Sequence, residues 1–168
     1  MKIIILVPIY NDWQSASKLL EEINSNIAGL ECQFSVIIVN DASSEQQSIN
    51  ALNLENLQSI KVINMKENKG HARCIASGLK YIFEKEEFDY VIPMDGDGED
   101  RPVEIKNFVE YLNYTSDKPI VGERVKRSEN LLFKFCYSVH KILTFAFTGQ
   151  SIKFGNYTCL PRLSLIHI

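Results

Sequence analysis

The chain has 168 residues, 45% of them hydrophobic, enough apolar sequence for one domain with a buried core. That excludes a disordered tail and a disulfide-stapled miniprotein. The 18 Lys+Arg against 21 Asp+Glu give a net charge of −3, which excludes a protein that coats nucleic acid with a basic surface. The charge is unevenly placed: up to Asp117 there are ten basic and nineteen acidic side chains, whereas from Lys118 onward eight basic residues face only Glu123 and Glu129. An acidic front and a basic back suit different partners.

In chain order, short apolar and β-branched runs predict strands at 2–7, 35–40, 60–64, 89–94, 119–122 and within 152–160. Helical spacing falls between them at 13–27, with Leu19, Leu20, Ile23 and Ile27 on one side, at 45–57, at 71–83 with Ile75, Leu79 and Ile82, and at 102–114. Strands that are continuously apolar and separated by helices read as a mostly parallel sheet covered on both faces. The expected fold class is therefore α/β, doubly wound, in a single domain over 1–168. Residues 131–147 are apolar with Lys134, His140 and Lys141 interspersed, a pattern that suits a helix at a membrane interface or one packed on the sheet or on a partner subunit. No run of about 18 uninterrupted apolar residues is present, so the chain is not expected to span a bilayer. Cys32, Cys74, Cys136 and Cys159 never form a CxxC pair, which leaves no zinc knuckle or redox motif and points to reduced, mostly buried thiols in a cytoplasmic chain. The N-terminal apolar run is too short for a signal peptide and reads as a strand.

Ligands of such sheets sit outside the carboxyl ends of the strands. The loops there read Pro8-Ile9-Tyr10-Asn11-Asp12, Asn40-Asp41-Ala42-Ser43-Ser44, Lys66-Glu67-Asn68-Lys69-Gly70 and Asp95-Gly96-Asp97-Gly98-Glu99-Asp100. A dinucleotide fingerprint and a P-loop are both absent, and the first loop has no glycine with which to cradle pyrophosphate. The acidic loop offers another means of binding phosphate, because carboxylates at alternate positions can converge on one hard divalent cation and leave coordination sites for phosphate oxygens. It is not an EF-hand, since the positions that need Gly and Glu hold Asp100 and Lys106. Its competing reading is an acidic turn that caps the helix after Pro102. Asp41 suits an N-cap of a helix near Glu45 as well as a ligand contact, and Asn11 and Asp12 suit caps of the helix at Trp13 as well as a site. Arg73, just past Gly70, places a guanidinium in the first turn of a helix on the same rim, where it suits a base or a phosphate. His71 and His140 have no nucleophilic Ser or Cys at a recognisable spacing, so a hydrolase triad is unsupported.

Taken together, Val7-Pro8-Ile9-Tyr10-Asn11-Asp12, Val39-Asn40-Asp41-Ala42-Ser43, Asn68-Lys69-Gly70-His71-Ala72-Arg73 with Gly78, and Met94-Asp95-Gly96-Asp97 resemble the family 2 glycosyltransferases in order and spacing. The resemblance continues through Gly122-Glu123-Arg124-Val125-Lys126-Arg127 and Gly155-Asn156-Tyr157 to Arg162, and is nearest to the polyprenyl-phosphate branch, the dolichyl-phosphate mannose synthase type. It implies the GT-A nucleotide-sugar fold and an inverting transfer of a sugar from a nucleotide-diphosphate sugar. By resemblance, Pro8, Tyr10, Asn11, Asp12, Asp41, Gly70, Arg73 and Asp95 belong to the donor nucleotide site. Asp95 and Asp97 match the Asp-x-Asp that holds Mg²⁺ or Mn²⁺, Glu99 stands for a Gln that joins them, and Arg124 completes the catalytic set. Asn40 and Ala42 depart from the family's Asp-Asp-Gly-Ser stretch, and Gly98 and Arg101 depart from the branch's usual acidic loop.

A hydroxyl acceptor would need a carboxylate base, yet no Asp follows Asp117 and the place of that acid reads Gly155-Asn156-Tyr157. A phosphate acceptor is already ionised and needs positive charge, which Arg124, Arg127 and Arg162 would supply. The expected partners are thus a nucleotide-diphosphate sugar and a lipid-phosphate acceptor, with room for peripheral contact at the inner face of a membrane and for a homo-oligomer. Family members usually carry further chain after the position of Arg162, so the C-terminal part of the family pattern is expected to be missing. Two alternatives stand beside this reading: a catalytically silent nucleotide-sugar-binding domain, and a nucleotidyltransferase, whose glycine-rich first loop is absent.

Overall fold

The computed structural model describes residues 1–45, 49, 53–98, 100–114, 118–122 and 157–166. The chain divides into two compact units, 1–120 with 157–168, and 121–156. In the first unit the chain runs β1 (Lys2–Ile9), α1 (Trp13–Asn26), β2 (Gln33–Asn40), β3 (Leu57–Asn64), α2 (His71–Lys85), β4 (Tyr90–Pro93), a 3-10 turn (Pro102–Glu104) and α3 (Ile105–Leu112). A two-residue strand β5 (Ile120–Val121), then β6 (Thr158–Pro161) and a second 3-10 turn (Arg162–Leu165), complete the described elements. The six strands lie in the order β3-β2-β1-β4-β6-β5. β1 pairs in parallel with β2 and β4, β2 pairs in parallel with β3, and β6 runs antiparallel to β4.

Seven of the eight residues of β1 are buried, as a strand covered on both faces requires. Its side chains alternate between two cores. Ile3, Ile5, Val7 and Ile9 pack with Trp13, Leu20 and Ile23 of α1 and with Ile105, Phe108 and Leu112 of α3. Ile4 and Leu6 pack on the other face with Ile37, Val39 and with Cys74, Leu79 and Ile82 of α2. Gly78 lets α2 approach the sheet: a Cβ there would lie 2.5 Å from Cδ1 of Leu6 and 2.8 Å from Cγ2 of Val39. The chain steps from β1 to β2 and β3 on one side, then returns through α2 to β4 on the other side of β1. The strand order therefore reverses between β1 and β4, and a crevice for ligands is expected at their carboxyl ends.

Several expected boundaries move. Residues 45–57 do not form one helix, because Leu57 already opens β3 and Asn56 is held to the end of α1, its N–H donating to Oδ1 of Asn24 at 2.9 Å and its Nδ2 to the Asn24 carbonyl at 2.9 Å. The expected helix 102–114 opens with a 3-10 turn at Pro102 and becomes α-helical only at Ile105. β1 runs two residues further than its apolar run, through Pro8 and Ile9, since both pair with β2. The apolar stretch 131–147 lies outside the described residues. Among the described residues no helix is long and apolar enough to cross a membrane.

Candidate functional site

The loop after β1 leaves the sheet through a tight turn. Pro8 and Ile9 are buried in the strand, Tyr10 is 53% exposed, and Asn11 adopts a left-handed backbone with φ of +51°. Asn is one of the few residues that tolerates this region. Asp12 is the N-cap of α1, its Oδ1 accepting the Ser15 N–H at 3.1 Å. Asn11 does different work: its N–H donates to Oγ of Ser43 at 2.8 Å, and its Oδ1 accepts the Ser44 N–H at 2.8 Å and the Glu45 N–H at 3.3 Å. It staples the loop after β1 to the loop after β2.

Asp41 is 3% exposed. Its Oδ1 accepts the Lys69 N–H and its Oδ2 the Gly70 N–H, each at 2.8 Å, so the loop after β2 holds the turn that enters α2. Gly70 has a φ of +84°, a conformation that favours glycine. Asn40 donates from Nδ2 to Oδ1 of Asn64 at 2.8 Å and accepts the Ser43 N–H at 2.9 Å, which ties the same loop to β3. Ala42 between them sits at φ +59°. Cys74, under the first turn of α2, donates to the Val39 carbonyl at 3.2 Å. Burial pushes its thiol up to about 11, with the neighbouring Asp41 charge adding to the effect. It is thereby a packed, protonated thiol and not a nucleophile.

The turn that Asp41 holds sets His71 beside the acidic loop, with Nε2 3.2 Å from Oδ1 of Asp95. Arg73 stands exposed in the same first turn. Within the acidic loop Asp95 is half-buried, Asp97 is exposed, and Asp100 is 7% exposed with its Oδ2 accepting the Asp95 N–H at 2.9 Å. The loop passes close to β1: a Cβ on Gly96 would lie 3.1 Å from the Pro8 carbonyl oxygen and 3.3 Å from Cγ2 of Ile9. The 3-10 turn at Pro102 has Arg101 as its N-cap residue, with no capping hydrogen bond from the Arg101 side chain. Among the described residues no three His, Cys, Asp or Glu side chains gather into a ready metal cage. Asp95 and Asp97 nevertheless supply hard oxygen donors on one loop, and Mg²⁺-like ions are commonly held by one or two carboxylates with phosphates and water completing the shell. The donor set fits such an ion.

The structure brings Tyr10, Asn11, Asp12, Asp41, Gly70, Arg73, Asp95 and Asp97 to the carboxyl rim of the sheet. Glu99, Arg124 and Arg127 lie outside the described residues. Arg162 is a correction to the sequence reading. It follows β6, which runs antiparallel to β4, so it lands at the opposite rim, its N–H bonded to the Asp89 carbonyl at 3.0 Å. There its guanidinium donates to the carbonyls of Glu86 at 3.1 Å and Phe83 at 3.4 Å and stacks 4.9 Å from the centre of the Phe88 ring. Those are the orphan carbonyls at the end of α2, a favourable place for a cation. A cleft of about 840 Å³ opens beside it, lined by Lys2, Cys32 and Phe88 among others, far from the acidic loop. Sequence reasoning missed the Asn11 staple, the His71–Asp95 contact and the inward turn of Asp100. Each joins residues from separate loops or opposite ends of one loop, and residue type alone carries no signal of it.

The family model for glycosyl transferase family 2 matches residues 4–162. Among curated relatives, the undecaprenyl-phosphate 4-deoxy-4-formamido-L-arabinose transferase of Proteus mirabilis (strain HI4320) is 30% identical over 172 residues, covering 99% of this chain and 50% of its own length. The protein of the same description from Klebsiella pneumoniae (strain 342) is 26% identical over 171 residues with the same coverage. The chain spans about half the length of the curated relatives it matches. Among solved structures, glucosyl-3-phosphoglycerate synthase from Mycobacterium tuberculosis in complex with UDP superposes with a TM-score of 0.64 at 15% identity, over 96% of this chain and 57% of that one. S. aureus TarS 1-349 in complex with UDP-GlcNAc gives 0.54 at 20% identity, over 80% of this chain and 38% of that one. The fold is the GT-A fold of these enzymes.

Proposed function

The chain belongs to glycosyl transferase family 2, and from that premise we propose that it carries the donor half of an inverting sugar transfer from a nucleotide-diphosphate sugar to a polyprenyl phosphate, in the synthesis of cell-envelope glycan or glycolipid. The observation that supports this most is the meeting of the acidic loop with the end of β1, where Gly96 lies against the Pro8 carbonyl at the point of strand reversal. A donor lying across that point would meet Tyr10 and Asp12 from the loop after β1, Arg73 from the start of α2, and Asp95 and Asp97 from the acidic loop.

Asp95 and Asp97, with Glu99, would hold a divalent cation, Mg²⁺ or Mn²⁺. Such an ion, when bound, offsets the negative charge that develops on the departing diphosphate. The related glucosyl-3-phosphoglycerate synthase is crystallised with Mn²⁺ and UDP-glucose. The chain's own residues bind and orient. The first turn of α2 offers Arg73 and the positive end of its dipole to phosphate oxygens. Arg124 and Arg127 would hold the acceptor phosphate. An acceptor oxygen that is already ionised attacks the anomeric carbon from the face opposite the leaving group, so no carboxylate base is required. The lipid-phosphate acceptor is suggested by the curated relatives, whose names specify undecaprenyl phosphate.

Calorimetric titration of the purified chain with UDP-sugars and GDP-mannose, with and without Mn²⁺, tests the donor site. The expected result is binding of one donor that requires Mn²⁺ and disappears in Asp97→Ala. Donor binding that ignores both the metal and the substitution would overturn the assignment of the acidic loop. Transfer of label from the bound donor to undecaprenyl phosphate tests the acceptor.

A further inference from the structure

We infer that Asp100 is a positioning residue that shapes the Asp95–Asp97 segment from within and is not one of the ligands of the cation. The inference rests on the reading of Asp95 and Asp97 as the metal-holding pair. Of the acids described in this loop, Asp100 alone is buried, at 7% exposure, and its Oδ2 accepts the N–H of Asp95 at 2.9 Å. That bond closes a ring from the last residue of the loop to the first. A bond from a backbone N–H to a carboxylate is among the stronger ones in a protein, and it fixes the backbone from which the Asp95 side chain projects.

The ring is backed on both sides. On one, Gly96 is pressed against the Pro8 carbonyl and Ile9 so closely that a side chain would not fit without a shift. On the other, Tyr157 is buried edge-on against Phe108, with ring centres 4.9 Å apart, and its hydroxyl donates to the carbonyl of Arg101, the residue after Asp100, at 3.4 Å. Burial first, and then the Asp100 charge, hold the Tyr157 phenol protonated as a donor. Gly98 completes the turn at φ +81°. The acidic loop thus contains two kinds of carboxylate, with Asp97 turned to solvent and Asp100 turned to the loop's own backbone.

Asparagine and alanine separate the two roles of Asp100. Asp100→Asn keeps an oxygen that accepts the Asp95 N–H but is a poor ligand for a hard dication, whereas Asp100→Ala removes both capacities. The two readouts are hydrogen exchange of the Asp95 amide and Mn²⁺ affinity in the presence of UDP, the latter followed by loss of the free-ion paramagnetic resonance signal. In Asp100→Ala the Asp95 amide is expected to exchange about tenfold faster or more, as loss of one hydrogen bond to a charged acceptor implies. Mn²⁺ affinity is expected to fall about tenfold or more, as for other residues that orient a ligand. In Asp100→Asn both are expected to stay within about threefold of wild type, while Asp97→Asn loses Mn²⁺ and keeps the Asp95 amide protected. A loss of Mn²⁺ in Asp100→Asn as large as in Asp97→Asn would make Asp100 a ligand and overturn the inference. So would an Asp95 amide that exchanges alike in wild type and Asp100→Ala. Should the wild type bind no Mn²⁺, the metal reading of Asp95 and Asp97 fails, and the exchange rates still decide whether Asp100 holds the loop.

Discussion

Nε2 of His71 lies 3.2 Å from Oδ1 of Asp95, joining the first turn of α2 to the first acid of the loop after β4. The His71 side chain is 56% exposed, so the contact contributes little to folding stability. Its effect is local, since one carboxylate oxygen is oriented by a neighbour held on a separate element. His71→Ala is expected to leave the unfolding free energy within about 0.5 kcal/mol of wild type, as most exposed substitutions do. Mn²⁺ affinity with UDP present is expected to weaken by about tenfold, as for a group that orients a metal-binding carboxylate. Urea titration and Mn²⁺ titration of the one variant check both halves.

Asp41 has a structural task whatever else it contacts. Its two oxygens each accept one backbone N–H, from Lys69 and Gly70, in a site that water hardly reaches. Asp41→Ala orphans both donors and is expected to cost about 3 kcal/mol, the scale of bonds to a charged acceptor. Asp41→Asn keeps one oxygen and turns an amide N–H₂ toward the other donor, so an intermediate loss is expected. Urea midpoints of the two variants, compared with wild type, give the order.

Ala42 occupies the left-handed region, φ +59°, at the position where the family's Asp-Asp-Gly-Ser stretch carries glycine. Alanine pays steric strain there that glycine does not, against a smaller gain in unfolded-chain entropy for glycine. Ala42→Gly is therefore expected to stabilise the chain by about 1 kcal/mol, a sign opposite to that of most alanine-to-glycine changes. A lowered melting temperature in this variant would contradict the backbone geometry of the loop.

Two thiols make stability fall in alkali. Burial raises Cys74 to about 11 and Cys159 to about 12, above the ordinary thiol value of 9.0. Both folded values are raised, so the folded chain keeps its protons where the unfolded chain releases them. The stabilisation is complete below about pH 9 and is lost as pH rises from there through the folded values. The urea midpoint is expected to hold up to about pH 9, to drop between there and about pH 12, and to drop less in a Cys74→Ala/Cys159→Ala double variant.

The sheet was readable because its signal is local. An eight-residue run such as β1 that is apolar on both sides of its pleat can be stable only between two layers, and the positions of the runs alone place four loops at one rim. The cap at Asp12 was readable for the same reason, since it lies within three positions of the amide it accepts. The segment 45–57 misled because its helical spacing competes with contacts from elsewhere: Asn24 captures Asn56, and Leu57 joins the ladder of β2. Arg162 misled because its charge suits a phosphate, whereas its place is set by the antiparallel course of β6, a property of pairing over some 70 residues of separation in Tyr90↔Pro161.

The sequence by itself determined the class of fold, the carboxyl-end loops, and the kinds of group in them, because apolar periodicity and residue chemistry are properties of short stretches. Only the tertiary structure decided how those groups divide their work. Asn11 and Asp41 bond neighbouring loops, His71 reaches Asp95 across the gap between α2 and β4, and Asp100 turns inward under it. Buried polar groups must find partners, and which partners they find depends on which loops the sheet order sets side by side.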